Sequence, residues 1–182
     1  YPIADLHCVL LSFLATVPRA DAFSKDQIPC ALPWMQDGGV KMQVMAIYTN
    51  VDHSSMKMAG KQAKIFYDLL RKEEKTVRKF DADFLKNPAS NERIGIIASV
   101  ENAAGFGHEK ATWPEIYKQF DRMLATVGPL AYISLTHHTE NRFGGGNYVD
   151  GVGLKEDGKR LLDYMAGKKI PIDLSHTSDL LA

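Results

Sequence analysis

The sequence predicts an α/β protein built on a parallel sheet. Short apolar runs typical of strands alternate with longer segments whose apolar residues recur at helical spacing. The run over residues 94–100 is apolar without alternation, as in parallel strands that are buried on both faces. These observations leave two architectures open, a doubly wound open sheet and part of a (β/α)8 barrel. A complete barrel needs about 250 residues, and the chain has 182.

The composition excludes several classes of protein. Lys plus Arg and Asp plus Glu both number 22, so the formal net charge is zero, which disfavours a nucleic-acid or anionic-membrane partner. No segment reaches the apolar length of a membrane span. The two cysteines, Cys8 and Cys30, are too few for a disulfide framework. We therefore expect one globular domain over residues 1–182, with its compartment, cytoplasmic or exported, left open.

The predicted elements follow from apolar periodicity and from residues that start or stop helices. Strands are predicted over residues 3–7, 40–48, 94–100, 130–136 and 170–174. Helices are predicted over residues 56–85, 112–126 and 154–167, with irregular or partly helical structure over residues 12–34. Thr112 and Glu115 form a capping box at the start of the second helix. The sequence Asn87-Pro88 is expected to end the first helix.

Four polar residues lie where predicted strands end. They are His7, Glu101, His137 and His176. The carboxyl ends of parallel strands gather at one face of a barrel, where such enzymes place their chemistry. Imidazoles and a carboxylate from separate strands are a typical metal-binding set, and a carboxylate such as Glu101 can bridge two ions. The ordinary alternative for each residue is a hydrogen-bonded polar group at a strand end.

Other polar residues near these strand ends are expected to support the site. Asp5 projects from the same face of an extended strand as His7 and would orient an imidazole or a loop. Asp173 is expected to support a neighbouring segment. His137 and His138 would point to opposite sides of an extended segment. The glycines at 144–146 suggest a mobile active-site loop.

Several short segments, taken in order, resemble the membrane (renal) dipeptidase family of zinc peptidases, which have amidohydrolase-like barrels. They are Ala-Asp-Leu-His-Cys at 4–8, Gly-Gly-Val at 38–40, Val-Glu at 100–101, Leu-Thr-His at 135–137, Gly-Leu at 153–154 and Ile-Asp-Leu-Ser-His at 172–176. The ordered set is more specific than any single piece. The resemblance implies a (β/α)8 TIM-barrel type of fold. Residues 1–182 would be its N-terminal part, about the first five β/α units of an incomplete barrel.

The resemblance also implies an activity, zinc-dependent hydrolysis of dipeptides, including those with a C-terminal D-residue. In this family pattern His7 would bind one zinc ion, Glu101 would bridge two, and His176 would bind the other. His137 would bind the substrate and polarise the scissile carbonyl. A metal-bridging hydroxide would attack the peptide carbonyl. Family members are often dimers, so a homodimer is a further expectation.

The sequence departs from the family pattern at two points. The family has a zinc-binding aspartate at the position of Val9, so the first of the two zinc sites is expected to be weak or lost. Asp5 is not a simple substitute, because the family commonly carries an aspartate there as well. The chain also ends before the family's remaining site residues. Two alternatives therefore stay open, a non-catalytic barrel that binds a small ligand and an amidohydrolase that uses one metal ion.

Overall fold

The computed structural model describes residues 1–87 and 91–182 and consists of one parallel sheet with helices packed on it. The strands are β1 (Ile3–Cys8), β2 (Val40–Tyr48), β3 (Val77–Lys79), β4 (Ile94–Glu101), β5 (Leu130–Ser134) and β6 (Ile172–Asp173). Their order is β1-β2-β4-β5-β6, with β3 beside the start of β4. Every pairing of these strands is parallel. The sheet curls into half a barrel, which confirms the predicted α/β barrel-type class.

The helices connect successive strands, as a parallel sheet requires. They are α1 (Leu10–Thr16), α2 (Leu32–Asp37), α3 (Ser55–Lys72), α4 (Ala82–Lys86), α5 (Trp113–Val127) and α6 (Glu156–Gly167), with a short 3-10 helix at Ala103–Gly105. The capping box predicted at the start of α5 is present, with the Glu115 carboxylate accepting hydrogen bonds from the Thr112 backbone N–H and hydroxyl. Residues 12–34 contain the end of α1 and the start of α2, in agreement with the partly helical prediction.

The hydrophobic core lies between the sheet and its helices. The central strands β2 and β4 contribute Val44, Ile47, Ile96 and Val100, all with no exposed surface. Helices α3 and α5 pack against each other on this layer. The buried strands explain the continuous apolar runs in the sequence, because both faces of a central parallel strand are covered.

The single helix predicted over residues 56–85 is wrong. Helix α3 ends at Lys72, and the chain then forms β3 and the short α4. Val77 is fully buried in β3, opposite Ile94. Asp81 then starts α4, because its side chain accepts a hydrogen bond from the Phe84 backbone N–H. Apolar residues that belong to a strand and a second helix happen to continue the stripe of α3, and periodicity alone does not separate them. Pro88 of the predicted stop signal lies outside the described residues.

The carboxyl ends of the strands define one face of the sheet. The pairing register brings Tyr48 opposite Glu101, Glu101 opposite Ser134, and Ser134 opposite Asp173. The predicted strand over residues 170–174 is shorter than expected, and a turn follows at residues 175–176. This turn brings His176 close to Glu101 at the end of β4 and to Thr136 after β5.

Candidate metal centre

Glu101 is the centre of a cluster of histidines at the carboxyl ends of the strands. It ends β4 and is 5% exposed. Its Oε2 atom lies 3.4 Å from Nε2 of His7. Its Oε1 atom lies 3.3 Å from Nε2 of His176 and 3.7 Å from Nε2 of His137. The fold thus brings together all four residues that the sequence placed at strand ends, with the two carboxylate oxygens facing different histidines.

The spacing of these atoms fits metal ligation. Two atoms bound to one tetrahedral zinc ion lie about 3.4 Å apart, given bond lengths of about 2.0–2.2 Å. The distances from Glu101 to His7 and His176, 3.4 and 3.3 Å, have this value and are longer than an ordinary hydrogen bond. A carboxylate with one oxygen facing each of two histidines has the arrangement of a ligand that bridges two metal ions.

Tyr132 determines the tautomer of the neutral His7 ring. The Tyr132 hydroxyl donates its single proton to the Leu6 carbonyl at 2.7 Å. The same oxygen lies 3.1 Å from Nδ1 of His7, so it accepts a hydrogen bond from Nδ1–H. In the neutral ring the lone pair is then on Nε2, which faces the carboxylate. Metal-binding histidines are commonly held in this way by a partner on the other ring nitrogen.

The electrostatics of the cluster favour a cation between these groups. The pKa of His7 is raised, chiefly by its contact with the Glu101 carboxylate, although burial opposes the change. Burial raises the pKa of Glu101, but His7, His137 and His176 outweigh that effect and the net pKa is lowered. The pKa of His137 is lowered because burial disfavours its charged form. Glu101 therefore stays ionised, and its negative charge can pair with a protonated His7 or with a metal ion.

His137 and His138 do not point to opposite sides of a strand, contrary to the prediction. Strand β5 ends at Ser134, and residues 137–139 form a bend. The two ring centroids lie only 3.8 Å apart, and the His137 and His176 rings are 4.4 Å apart. The ring of Tyr48 meets His137 edge-on at 4.9 Å. The alternation rule fails here because it applies only while the backbone remains extended.

The two predicted supporting carboxylates have different positions. Asp173 lines a cavity of about 360 Å³ together with His7, Glu101 and His176. It accepts hydrogen bonds from the Ser134 hydroxyl at 2.6 Å and from the Ser175 hydroxyl at 2.9 Å. Asp5 instead accepts the His7 backbone N–H at 3.2 Å and so contacts the backbone of His7.

Val9 is half exposed and occupies the N-cap position of α1. Its side chain offers no ligand atom. Among the described residues, His7 and Glu101 are therefore the donors at the metal position near His7. The neighbouring Cys8 is buried and, like Cys30, is a free thiol. The two thiols contact each other, and this contact together with burial raises the pKa of Cys8.

Two asparagines that the sequence analysis did not single out hold the loops around Glu101. Asn102 donates to the Thr49 carbonyl and accepts from Asn141, which in turn donates to the Leu135 carbonyl, all at 2.7–2.9 Å. Both asparagines are buried. Their positions in loops after apolar strands were the available signal, but their partners lie too far away in sequence to be predicted.

The glycines at 144–146 are explained by close packing. A Cβ atom on Gly144 would collide with Leu181, one on Gly145 with Val152, and one on Gly146 with the backbone of His137. The segment is buried, and Asn141 accepts hydrogen bonds from the backbone N–H groups of Phe143 and Gly144. The structure thus gives these glycines a packing role, while the mobility expected from the sequence stays a prediction.

Comparison with known proteins identifies the family. A model of the membrane dipeptidase family (peptidase family M19) matches residues 1–181. The chain belongs to this family. No curated protein matches the chain in a sequence search. Among the described residues, no helix is long and apolar enough to cross a membrane.

Solved structures share the fold of this membrane dipeptidase family member at low identity. A metallo peptidase from Rhodobacter sphaeroides, liganded with a phosphinate mimic of the dipeptide L-Ala-D-Ala, matches with a TM-score of 0.77 and 18% identity over 98% of this chain. The probable dipeptidase PvdM from Pseudomonas aeruginosa matches with a TM-score of 0.74 and 15% identity over 98% of this chain. An amidohydrolase from Pseudomonas aeruginosa matches with a TM-score of 0.64 and 20% identity over 94% of this chain. The chain spans 60%, 47% and 50% of these three proteins, respectively.

Proposed function

We propose that the protein is a metal-dependent dipeptidase and that Glu101 is the ligand shared by its metal ions. The observation that supports this most directly is the use of both Glu101 oxygens, one 3.4 Å from His7 and the other 3.3 Å from His176. Membership of the membrane dipeptidase family supports the same assignment. In this proposal the ion is zinc, because a mixed imidazole and carboxylate set suits it.

The proposed roles divide between holding the metal and binding the substrate. His7 and His176 hold the ions from two sides of Glu101, and Tyr132 orients the His7 ring. Bound zinc supplies an activated water as nucleophile and stabilises negative charge on the carbonyl oxygen. His137 binds the substrate and polarises the scissile carbonyl. Its partly buried ring, which meets the ring of Tyr48 edge-on near Glu101, supports this role.

The proposed substrates are dipeptides, including those with a D-residue at the C-terminal side. The metallo peptidase from Rhodobacter sphaeroides, which shares this fold, carries a mimic of L-Ala-D-Ala. The cavity of about 360 Å³ beside Glu101 is large enough for a small ligand.

The chain is proposed to be the N-terminal part of a larger barrel domain. It spans 60% of the Rhodobacter sphaeroides protein. Strands β1 and β6 each have one partner strand among the described residues. Further β/α units would supply the remaining ligands and substrate contacts.

A second candidate, an amidohydrolase with one metal ion, is favoured by Val9. Val9 offers no ligand atom to an ion near His7, whereas the position near His176 keeps Oε1 of Glu101 at 3.3 Å. In this version His7 pairs with the Glu101 carboxylate, a contact that raises the pKa of the His7 ring.

The test is zinc content and hydrolysis of L-Ala-D-Ala, both measured on the purified full-length protein. About two ions per chain support the binuclear enzyme, and about one supports the mononuclear candidate. Glu101→Gln is expected to lower zinc content and turnover together, because the shared negative charge is lost. Glu109→Gln, which changes an exposed carboxylate, is the matched control and should leave both unchanged.

Absence of zinc and of hydrolysis after zinc supplementation would contradict the proposal and favour a non-catalytic relative. Retention of full zinc content in Glu101→Gln would show that Glu101 is not the shared ligand.

A further inference from the structure

His138 lies beside the centre but has no role in the function proposed above. It forms a cluster with His137 and His176 in which one ring nitrogen of each residue lies within 4.8 Å of one from each of the others. The ring centroids of His138 and His176 are 4.9 Å apart, with the rings nearly perpendicular. Three converging imidazoles are a common metal-binding set, found in mononuclear zinc sites.

Two contacts fix the orientation of the His138 ring. Its Nδ1 atom lies 2.9 Å from Oδ1 of Asn147. An amide oxygen only accepts hydrogen bonds, so Nδ1 carries the proton and the lone pair of the neutral ring is on Nε2. The ring of Tyr148 stacks on His138 at 4.1 Å with an interplanar angle of 3°. The hydrogen bond from Nδ1 of His138 to Asn147 resembles the one from Nδ1 of His7 to Tyr132. Such a bond on the other ring nitrogen is typical of imidazoles that bind metal.

The same support connects His138 to His176. The Asn147 backbone N–H donates to the His176 carbonyl at 2.9 Å, and the Tyr148 N–H donates to the His138 carbonyl at 3.0 Å. The backbone of His176 has a positive φ of 65°, an uncommon conformation for a residue with a side chain. The backbone of residues 147–148 therefore fixes the position of His138 relative to His176.

We propose that His138 is a ligand, through Nε2, of the divalent transition-metal ion bound at His176. That ion position would then have two imidazole donors, His176 and His138, and Oε1 of Glu101 lies 3.3 Å from Nε2 of His176. Atoms bound to one tetrahedral ion lie about 3.4 Å apart, so ring nitrogens that lie within 4.8 Å of one another must approach by about 1.4 Å at most. The added imidazole would strengthen this position, whereas Val9 weakens the position at His7.

This inference rests on the proposed metal function through His176 and Glu101, and it adds His138 to that site. Imidazole ligands suit zinc, cobalt, nickel and copper, so the probes are Zn²⁺ and Co²⁺ alone. The affinity of the purified full-length protein for each ion is measured by competition with a chromogenic chelator. The absorption spectrum of bound Co²⁺ reports the number and type of ligands.

His138→Ala and His138→Gln are compared with His53→Ala, which removes an exposed imidazole from a turn. Both His138 variants should lower the affinity about tenfold or more and change the Co²⁺ spectrum. Asn147→Ala should weaken binding by about 10–100-fold through loss of the support on Nδ1. His53→Ala should match the unchanged protein, and circular dichroism checks that each variant is folded.

Unchanged affinity and an unchanged Co²⁺ spectrum in a folded His138 variant would overturn this inference. If Glu101→Gln lost the metal in the same experiment, the proposed metal function would stand without His138. Failure of the unchanged protein to bind either ion would overturn both the inference and the proposed function.

Discussion

Glu101 illustrates at the scale of one residue why a buried charge requires partners. A carboxylate that is 5% exposed has lost most of its hydration, and burial alone raises its pKa. Three histidines from separate segments reverse that effect and keep the carboxylate ionised. Positive charge nearby, either protons on the histidines or metal ions, therefore favours the ionised form of Glu101.

His137→Ala tests the division of roles within the cluster. We expect turnover of L-Ala-D-Ala to fall by about 10²-fold or more, because a group that stabilises the developing oxyanion is lost. Zinc content should be retained, because His137 is 3.7 Å from Glu101, farther than His7 or His176. Steady-state kinetics and elemental analysis of the same sample measure the two effects. Loss of zinc would mean that His137 is a metal ligand and that its substrate role is wrong.

Val9→Asp tests the missing ligand at the first metal position. We expect zinc affinity there to rise about tenfold or more, equivalent to about 1.4 kcal/mol, as measured by competition with a chelator. Val9 occupies the N-cap of α1, where aspartate also stabilises a helix. Val9→Asn is the control, because asparagine caps equally well but lacks the charge. Equal affinities in the two variants would contradict a ligand role for this position.

The loop that carries Gly144–Gly146 shows at the scale of an element how packing positions the histidines. Its glycines allow the backbone to approach the carbonyl groups of Val152 and His137. Asn141 binds the loop to Asn102, which directly follows Glu101. The same loop leads into Asn147, which supports His138. Its conformation therefore affects both the carboxylate and the imidazoles.

Gly146→Ala is expected to destabilise the protein by about 1–3 kcal/mol or more, because the added methyl group collides with the backbone of His137. Gly60→Ala is the matched control. No atom lies within 4 Å of its added methyl group in helix α3, so it should stabilise the protein by about 0.5–1 kcal/mol. Urea unfolding of the metal-free proteins measures both changes. Equal stabilities would show that the loop adapts to a side chain at Gly146.

At the scale of the whole molecule, the half-barrel exposes apolar side chains near its two outer strands. Leu6 of β1, Ile172 of β6 and Leu174 after it are exposed to 62%, 38% and 49%. Outer strands with free hydrogen-bonding groups are sites of association with other chains. The exposed apolar side chains at β1 and β6 thus support the proposal that further β/α units complete the barrel.

Residues 1–182, produced alone, are therefore expected to associate in a concentration-dependent way that sedimentation velocity detects. Ile172→Lys should reduce the association, because a charge at an edge strand opposes pairing. Leu85→Lys, which changes an exposed leucine on helix α4, is the control and should have no such effect. A monomer at every concentration would contradict a role for these edges in association.

The sequence alone determined the α/β class and the positions of His7, Glu101, His137 and His176 at strand ends. These features depend on local periodicity and on apolar runs that can be counted along the chain. The division of residues 56–85 into α3, β3 and α4 required the pairing of Val77 with Ile94. The hydrogen bond from His7 to Tyr132, 125 residues away, required the folded sheet. The convergence of His138 on His176 likewise depended on loops whose paths only tertiary packing decides, because side-chain direction outside regular elements has no periodic signal in sequence.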